Sequence, residues 1–188
     1  WPKRGRRQGL MRKEFRLAGA GGQGLITAAI ILAAAAAEHT EYNAVQSQSY
    51  GPESRGGSSK ADVIISTDEI DYPEVKSPEV LLVMTQEACD KFVPGVRPGG
   101  MVVVDETYVR TVPPVDAKVL RYGISAKARE LGREIVANIV AVGLLVGLTG
   151  IVPEDAALEA VLARVPKGTE ELNKKAFLAG IQAAKEIG

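Results

Sequence analysis

Two short stretches of this chain have residue types and spacings that could do chemistry. The first is Gly19-Ala20-Gly21-Gly22-Gln23-Gly24, which fits G-x-G-x-x-G at Gly19, Gly21 and Gly24. Glycines at that spacing permit a tight turn and close backbone approach, and a helix starting behind them offers free N–H groups to an anion. The dinucleotide version of this site also needs an acid about 20 positions on, at the end of the second strand, to hold a ribose. Here that strand ends Gln46-Ser47-Gln48, and the nearest acids, Glu38 and Glu41, precede it. NAD binding is therefore disfavoured. The glycines could serve a ligand, a partner subunit, or only the close approach of helix to sheet. Gly19 must turn the chain out of its strand, so strain on adding a Cβ is expected there, whereas Gly22 is expected to matter through contact.

The second stretch is Gln48-Ser49-Tyr50-Gly51-Pro52-Glu53-Ser54-Arg55-Gly56-Gly57-Ser58. Turn formers surround one aromatic, one acid and one arginine. Arg55, beside Gly56 and Gly57, can present a planar guanidinium to a phosphate or carboxylate.

The rare residues restrict the rest. The chain has one Cys, Cys89, and one His, His39. It can form no internal disulfide, and an all-Cys iron–sulfur cluster needs four thiolates. A closed structural zinc site is equally disfavoured. Cys89 reads as a buried small apolar residue and His39 as a surface residue near a helix C-terminus. Tyr122 and Lys127 could be forced into a dehydrogenase role but read as structural. No catalytic residue and no metal ligand is assigned.

These groups need an α/β frame, and the 188 residues suffice for one such domain. Glu14–Ala18 reads as a strand, followed by the glycine turn and a nearly apolar helix over 23–38. Asn43–Gln48 and Ala61–Ser66 read as strands. Their connection is too short for a parallel crossover, so they should be antiparallel. Val80–Thr85 and Met101–Asp105 are continuous apolar runs, as in strands buried on both faces. Gln86–Val93 is a short helix and Lys118–Tyr122 a further strand. Ser125 fits an N-cap for a helix through Arg133, and Ile135–Leu148 reads as a buried core helix. Pro153 opens another helix, and Thr169 caps a last one with Leu172, Ala176, Ala179 and Ala183 on one face. The order is β-α-β-β-(short α)-β-α-β-β-α-α-α. It predicts a three-layer Rossmann-like α/β domain, with a mixed, mostly parallel sheet and helices gathered at the C-terminus.

Net charge is zero, but residues 1–13 carry six basic residues and no acid, leaving 17 basic against 23 acidic residues in the body. A nucleic-acid-binding surface across the fold is disfavoured. Residues 1–10 read as a tag or upstream extension, disordered alone, and residues 11–188 as a single domain. No apolar run approaches the ~20 residues of a membrane span.

GAGGQG with Thr27 and an alanine-rich helix, then QSYGPESRGGSS-ADVIIS, EIDYP and LLVMTQEA, resembles the gamma subunit of 2-oxoacid:ferredoxin oxidoreductases. The resemblance runs from Phe15 to Ile187, including the Asn138-centred helix and NKKAFLAG. The YGPESRGG form is closer to the 2-oxoglutarate type than to the pyruvate type, with the branched-chain type next. It implies a cytoplasmic enzyme with alpha, beta and ferredoxin-like delta subunits. That enzyme converts a 2-oxoacid plus coenzyme A to acyl-CoA and CO2 with reduction of ferredoxin. Thiamine diphosphate with Mg, iron–sulfur clusters and coenzyme A would lie on, or be shared with, the partner subunits. This chain has no GDG segment, so it is expected to bind none of them alone. It would be structural or help shape the thiamine diphosphate/coenzyme A site through Gly19, Gly21, Gly22, Gln23, Gly24, Thr27, Tyr50, Glu53, Arg55, Gly56 and Gly57. An apolar or glycine-rich face is expected around 19–24 and 49–58, covered by partners or, in the isolated chain, by a homodimer contact. The competing readings are a stand-alone nucleotide-binding Rossmann module and an NAD(P)-dependent oxidoreductase.

Overall fold

The computed structural model describes residues 11–49 and 58–188. Its six strands are β1 (Arg12–Gly19), β2 (Asn43–Gln48), β3 (Ser59–Ser66), β4 (Val80–Val83), β5 (Gly100–Asp105) and β6 (Ala117–Tyr122). Six α-helices complete it: α1 (Leu25–His39), α2 (Gln86–Phe92), α3 (Ile124–Glu130), α4 (Ala137–Thr149), α5 (Glu154–Leu162) and α6 (Glu170–Ile187). The strands form one sheet in the order β2-β3-β1-β4-β5-β6. β1, β4, β5 and β6 run parallel, and β3 is antiparallel to both β1 and β2. The sheet is thus mixed and mostly parallel, as expected.

Side-chain alternation along each strand fills two cores. Phe15, Leu17, Val63, Ile65, Leu82 and Val103 face α1, α4, α5 and α6 in the larger one. Ala18, Leu81, Val83, Val102 and Val104 face α2 in the smaller one, together with Ala88 and Cys89. The three layers are therefore unequal. Beside α2, the segment 67–79 covers the sheet, pinned by Arg16. This buried guanidinium donates to both carboxylate oxygens of Asp62, at 2.8 and 3.1 Å, and to the carbonyl of Val75 at 2.8 Å. On the other face α4 and α6 touch backbone to backbone: a Cβ on Gly180 would stand 2.1 Å from the Val140 carbonyl oxygen.

Several expectations need correction. No helix forms between β3 and β4, where 67–79 is bends and extended chain, and the four helices read from Ser125 onward all form, one more than the element order counted after β6. Ser125 does not cap α3. Gly123 holds that position, and Ser125 lies inside the helix. Its hydroxyl donates to Asp105 at 2.6 Å, so the serine was placed by a buried carboxylate rather than by a helix end. The apolar run from Ile135 is not buried throughout, because Ile135 is 68% exposed in a short 3-10 turn before α4. Thr169 holds the N-cap position of α6, but its side chain makes no capping bond. The inward face of α6 is centred on Asn173, Phe177, Gly180 and Ala184, displaced from the alanine row because the helix lies against the glycine-bearing side of α4.

Candidate functional site

The glycine turn leaves β1 at the carboxyl end of the parallel strands, where crevices in open α/β sheets form. A crevice of about 510 Å3 opens there, lined by Gly22, Gln23, Met84, Thr85, Tyr108 and Ile135 among others. The amino ends of α1 and α4 both reach it.

Each glycine has a different reason to lack a side chain. Gly19 is still part of β1 and keeps a negative φ. A Cβ there would stand 2.2 Å from Gln23 Oε1 and 3.0 Å from Met84 Cβ, so packing rather than backbone strain excludes it. Gly24 caps α1 at φ +74°, and a Cβ would stand 2.6 Å from Asn138 Nδ2. Gly22, at φ +86°, needs glycine for its backbone although the space beside it is open. The backbone strain expected at Gly19 is thus found at Gly22, and Gly19 is fixed by packing instead. Gly21 has neither constraint: its φ is not positive, and among the described residues nothing lies within 4 Å of a Cβ placed there.

Gln23 ties the turn to the sheet. Its Oε1 accepts from the Ala20 N–H at 2.7 Å, and its Nε2 donates to the Met84 carbonyl at 3.4 Å. Thr27 is exposed in the first turn of α1. Tyr50, Glu53, Arg55, Gly56 and Gly57 lie outside the described residues. The two ends of their loop are placed: Ser49 N–H donates to the Lys60 carbonyl, and Ser59 pairs with Gly19. The loop thus joins the sheet beside the glycine turn. Ser58, 5% exposed at its end, has a buried hydroxyl with no hydrogen-bond partner among the described residues.

The far rim was not foreseen. Tyr108, 40% exposed, donates its hydroxyl to Glu134 and accepts from Arg129. The carboxylate pushes the Tyr108 phenol pKa up, and the phenol and Arg129 hold Glu134 below the usual carboxylate range. Ile135 projects beside this cluster. The exposed apolar surface next to the turn therefore comes from Tyr108 in the β5–β6 connection and Ile135 in the α3–α4 connection, too far apart in sequence to give a local signal. Asp105, fully buried beneath the rim, accepts from Ser125 and from the Thr107 N–H at 3.1 Å, fixing the start of α3.

Among the described residues no group of His, Cys, Asp and Glu could hold a metal ion, and no helix is long and apolar enough to cross a membrane. His39 ends α1 with Nδ1 at 3.3 Å from Glu159, and Glu38 pairs with Arg164 at 2.8 Å. Cys89 is buried. Among the described residues the crevice offers the main chain of the glycine turn, the amides of Gln23 and Gln86, the Tyr108–Glu134 pair and the side chain of Ile135. That arrangement can bind and orient a ligand or a partner surface.

A family model described as pyruvate ferredoxin/flavodoxin oxidoreductase matches residues 14–183. The 2-oxoglutarate synthase subunit KorC of Methanocaldococcus jannaschii is 48% identical over 180 residues, covering 94% of this chain and 96% of that protein. The ketoisovalerate oxidoreductase subunit VorA of Methanothermobacter thermautotrophicus is 33% identical over 91% of this chain, which matches 36% of that longer protein. Among solved structures, the gamma subunit of keto/oxoacid ferredoxin oxidoreductase from Geobacter sulfurreducens superposes with a TM-score of 0.85 at 48% identity, covering 93% of this chain and 99% of that one.

Proposed function

Because the chain belongs to the pyruvate ferredoxin/flavodoxin oxidoreductase family, we propose that it acts as the gamma subunit of a 2-oxoglutarate:ferredoxin oxidoreductase. The assembled enzyme converts the 2-oxoacid and coenzyme A to acyl-CoA and CO2 and reduces ferredoxin. Full-length similarity to a 2-oxoglutarate synthase subunit carries this reading. The stand-alone nucleotide-binding and NAD(P)-dependent readings have no counterpart in these relatives.

The residues divide the cofactors. Thiamine diphosphate needs a magnesium ion, and the described residues provide no acidic cluster for one. Iron–sulfur clusters need thiolates, and the single cysteine is buried. Both fit alpha, beta and delta partner subunits rather than this chain. Coenzyme A fits better. Its phosphates are anions, and the 20–24 turn presents main chain at the start of the 15-residue helix α1, with open space before Gly21. When bound, coenzyme A supplies the thiol that receives the acyl group. Gly21 and Gly22 would approach its phosphates, Gln23 keeps the turn in shape, and Arg55 would add a cation. The Ile135–Tyr108 rim would seat against a partner subunit and exclude water from the crevice.

The test is the assembled enzyme carrying Gly21→Val. A raised KM for coenzyme A with an unchanged KM for 2-oxoglutarate supports the assignment. Unchanged values for both would remove the turn from the coenzyme A site.

A further inference from the structure

The two edges of the sheet differ in kind. β6 carries Lys118 and Arg121, charges of the sort that blunt an edge against unwanted pairing. β2, Asn43-Ala44-Val45-Gln46-Ser47-Gln48, has no charge and no proline. It pairs residue for residue with β3 from Asn43↔Ser66 to Gln48↔Ala61, so no bulge bends it away.

The phase of its outer hydrogen-bonding groups follows from one contact. Ser49 N–H donates to the Lys60 carbonyl at 3.3 Å. Residues of an antiparallel strand face their partner alternately. Asn43, Val45 and Ser47 therefore bond to β3, and the main-chain N–H and C=O of Ala44 and Gln46 point away from it. Among the described residues no strand lies beyond β2.

We propose that β2 is a self-pairing edge, at which two copies of this chain join antiparallel about a two-fold axis through Val45 to make one twelve-stranded sheet. The outward residues are symmetric about Val45, so the edge is its own complement. Ala44 of each copy exchanges both main-chain bonds with Gln46 of the other. Val45 then faces Val45 in a non-hydrogen-bonded pair, with Cα atoms about 4.5 Å apart. Such β-branched pairs stabilise a sheet. Val45 is half-buried and belongs to neither core, so this contact would bury it further. No charge within β2 opposes its image. The charged β6 edge stops further addition, and the assembly closes at two.

Sedimentation of the full chain should show a concentration-dependent dimer, and Val45→Lys, which sets two ammonium groups face to face, should weaken it by more than about tenfold. Val45→Cys should form an intermolecular disulfide on mild oxidation, since the Cα separation of such a pair suits one. The buried Cys89 leaves the unsubstituted chain uncrosslinked as a control. Amide exchange at Ala44 and Gln46 should slow as concentration rises. A monomeric chain, or a dimer indifferent to Val45→Lys, would overturn the proposal. So would protection of those two amides only after partner subunits are added, which would mean that a partner's strand covers the edge.

Discussion

Asn138 Nδ2 donates to the carbonyl oxygen of Gly24 at 3.2 Å, joining the first turn of α4 to the residue that caps α1. Residues 114 positions apart thus hold the two long helices that meet at the crevice in register. Asn138 and the left-handed Gly24 are one unit: the asparagine occupies the volume that a side chain at 24 would need.

Asn138→Ala should lower stability by about 0.5–1.5 kcal/mol, the net worth of one hydrogen bond, because the Gly24 carbonyl keeps the Ala28 N–H at 3.0 Å. Gly24→Ala should cost about 1–2 kcal/mol in backbone strain plus the clash. Combining them should relieve the clash but not the strain, so the pair should cost less than the sum. Denaturant unfolding of the two single variants and the double variant measures this directly.

Gly21 and Gly22 should separate contact from strain. Gly22→Val should destabilise the isolated chain by about 1–2 kcal/mol because of its positive φ. Gly21→Val should leave its melting temperature nearly unchanged and show an effect only in the assembled enzyme. Melting curves of both variants alone, then activity with partner subunits, provide the check.

Ile135→Glu changes a side chain exposed on the crevice rim, so the isolated chain should lose no more than about 0.5 kcal/mol. If the rim seats against a partner, capture of the other subunits should weaken by at least about tenfold, as for a central apolar contact. Pull-down titrations of wild-type and variant chains compare the two.

Burial pushes the Cys89 thiol pKa up from 9.0 to about 11. Folding therefore favours the protonated thiol. The associated stability is fully present below the unfolded pKa and is lost as pH rises towards about 11. Cys89→Ala should flatten that alkaline loss in unfolding curves measured between neutral pH and this range. Alkylation of the native thiol at pH 8 should be slow until the chain unfolds.

Most of the frame could be read from local pattern. Apolar runs marked β4 and β5, and the short connection marked β2 and β3 as antiparallel. The crevice was only half legible. Its near rim is one contiguous turn with glycine spacing, but its far rim joins Tyr108 of the β5–β6 connection, Arg129 near the end of α3, and Glu134 and Ile135 of the α3–α4 connection. Ser125 misled because its bond to Asp105 is long-range, and a serine before a helical run looks the same whether it caps the helix or ties it to a strand. Ile135 misled because a continuous apolar run does not reveal that its first residue lies outside the helix. Gly19 and Gly22 could not be sorted by spacing, since packing and positive φ select the same residue type.

The most direct test is 2-oxoglutarate-dependent, coenzyme A-dependent reduction of ferredoxin by this chain co-purified with its neighbouring-gene subunits, beside the chain alone. The gamma-subunit account predicts turnover by the complex, loss of turnover when this chain is omitted, and none from the chain by itself. Turnover by the isolated chain, or a complex equally active without it, would contradict the account.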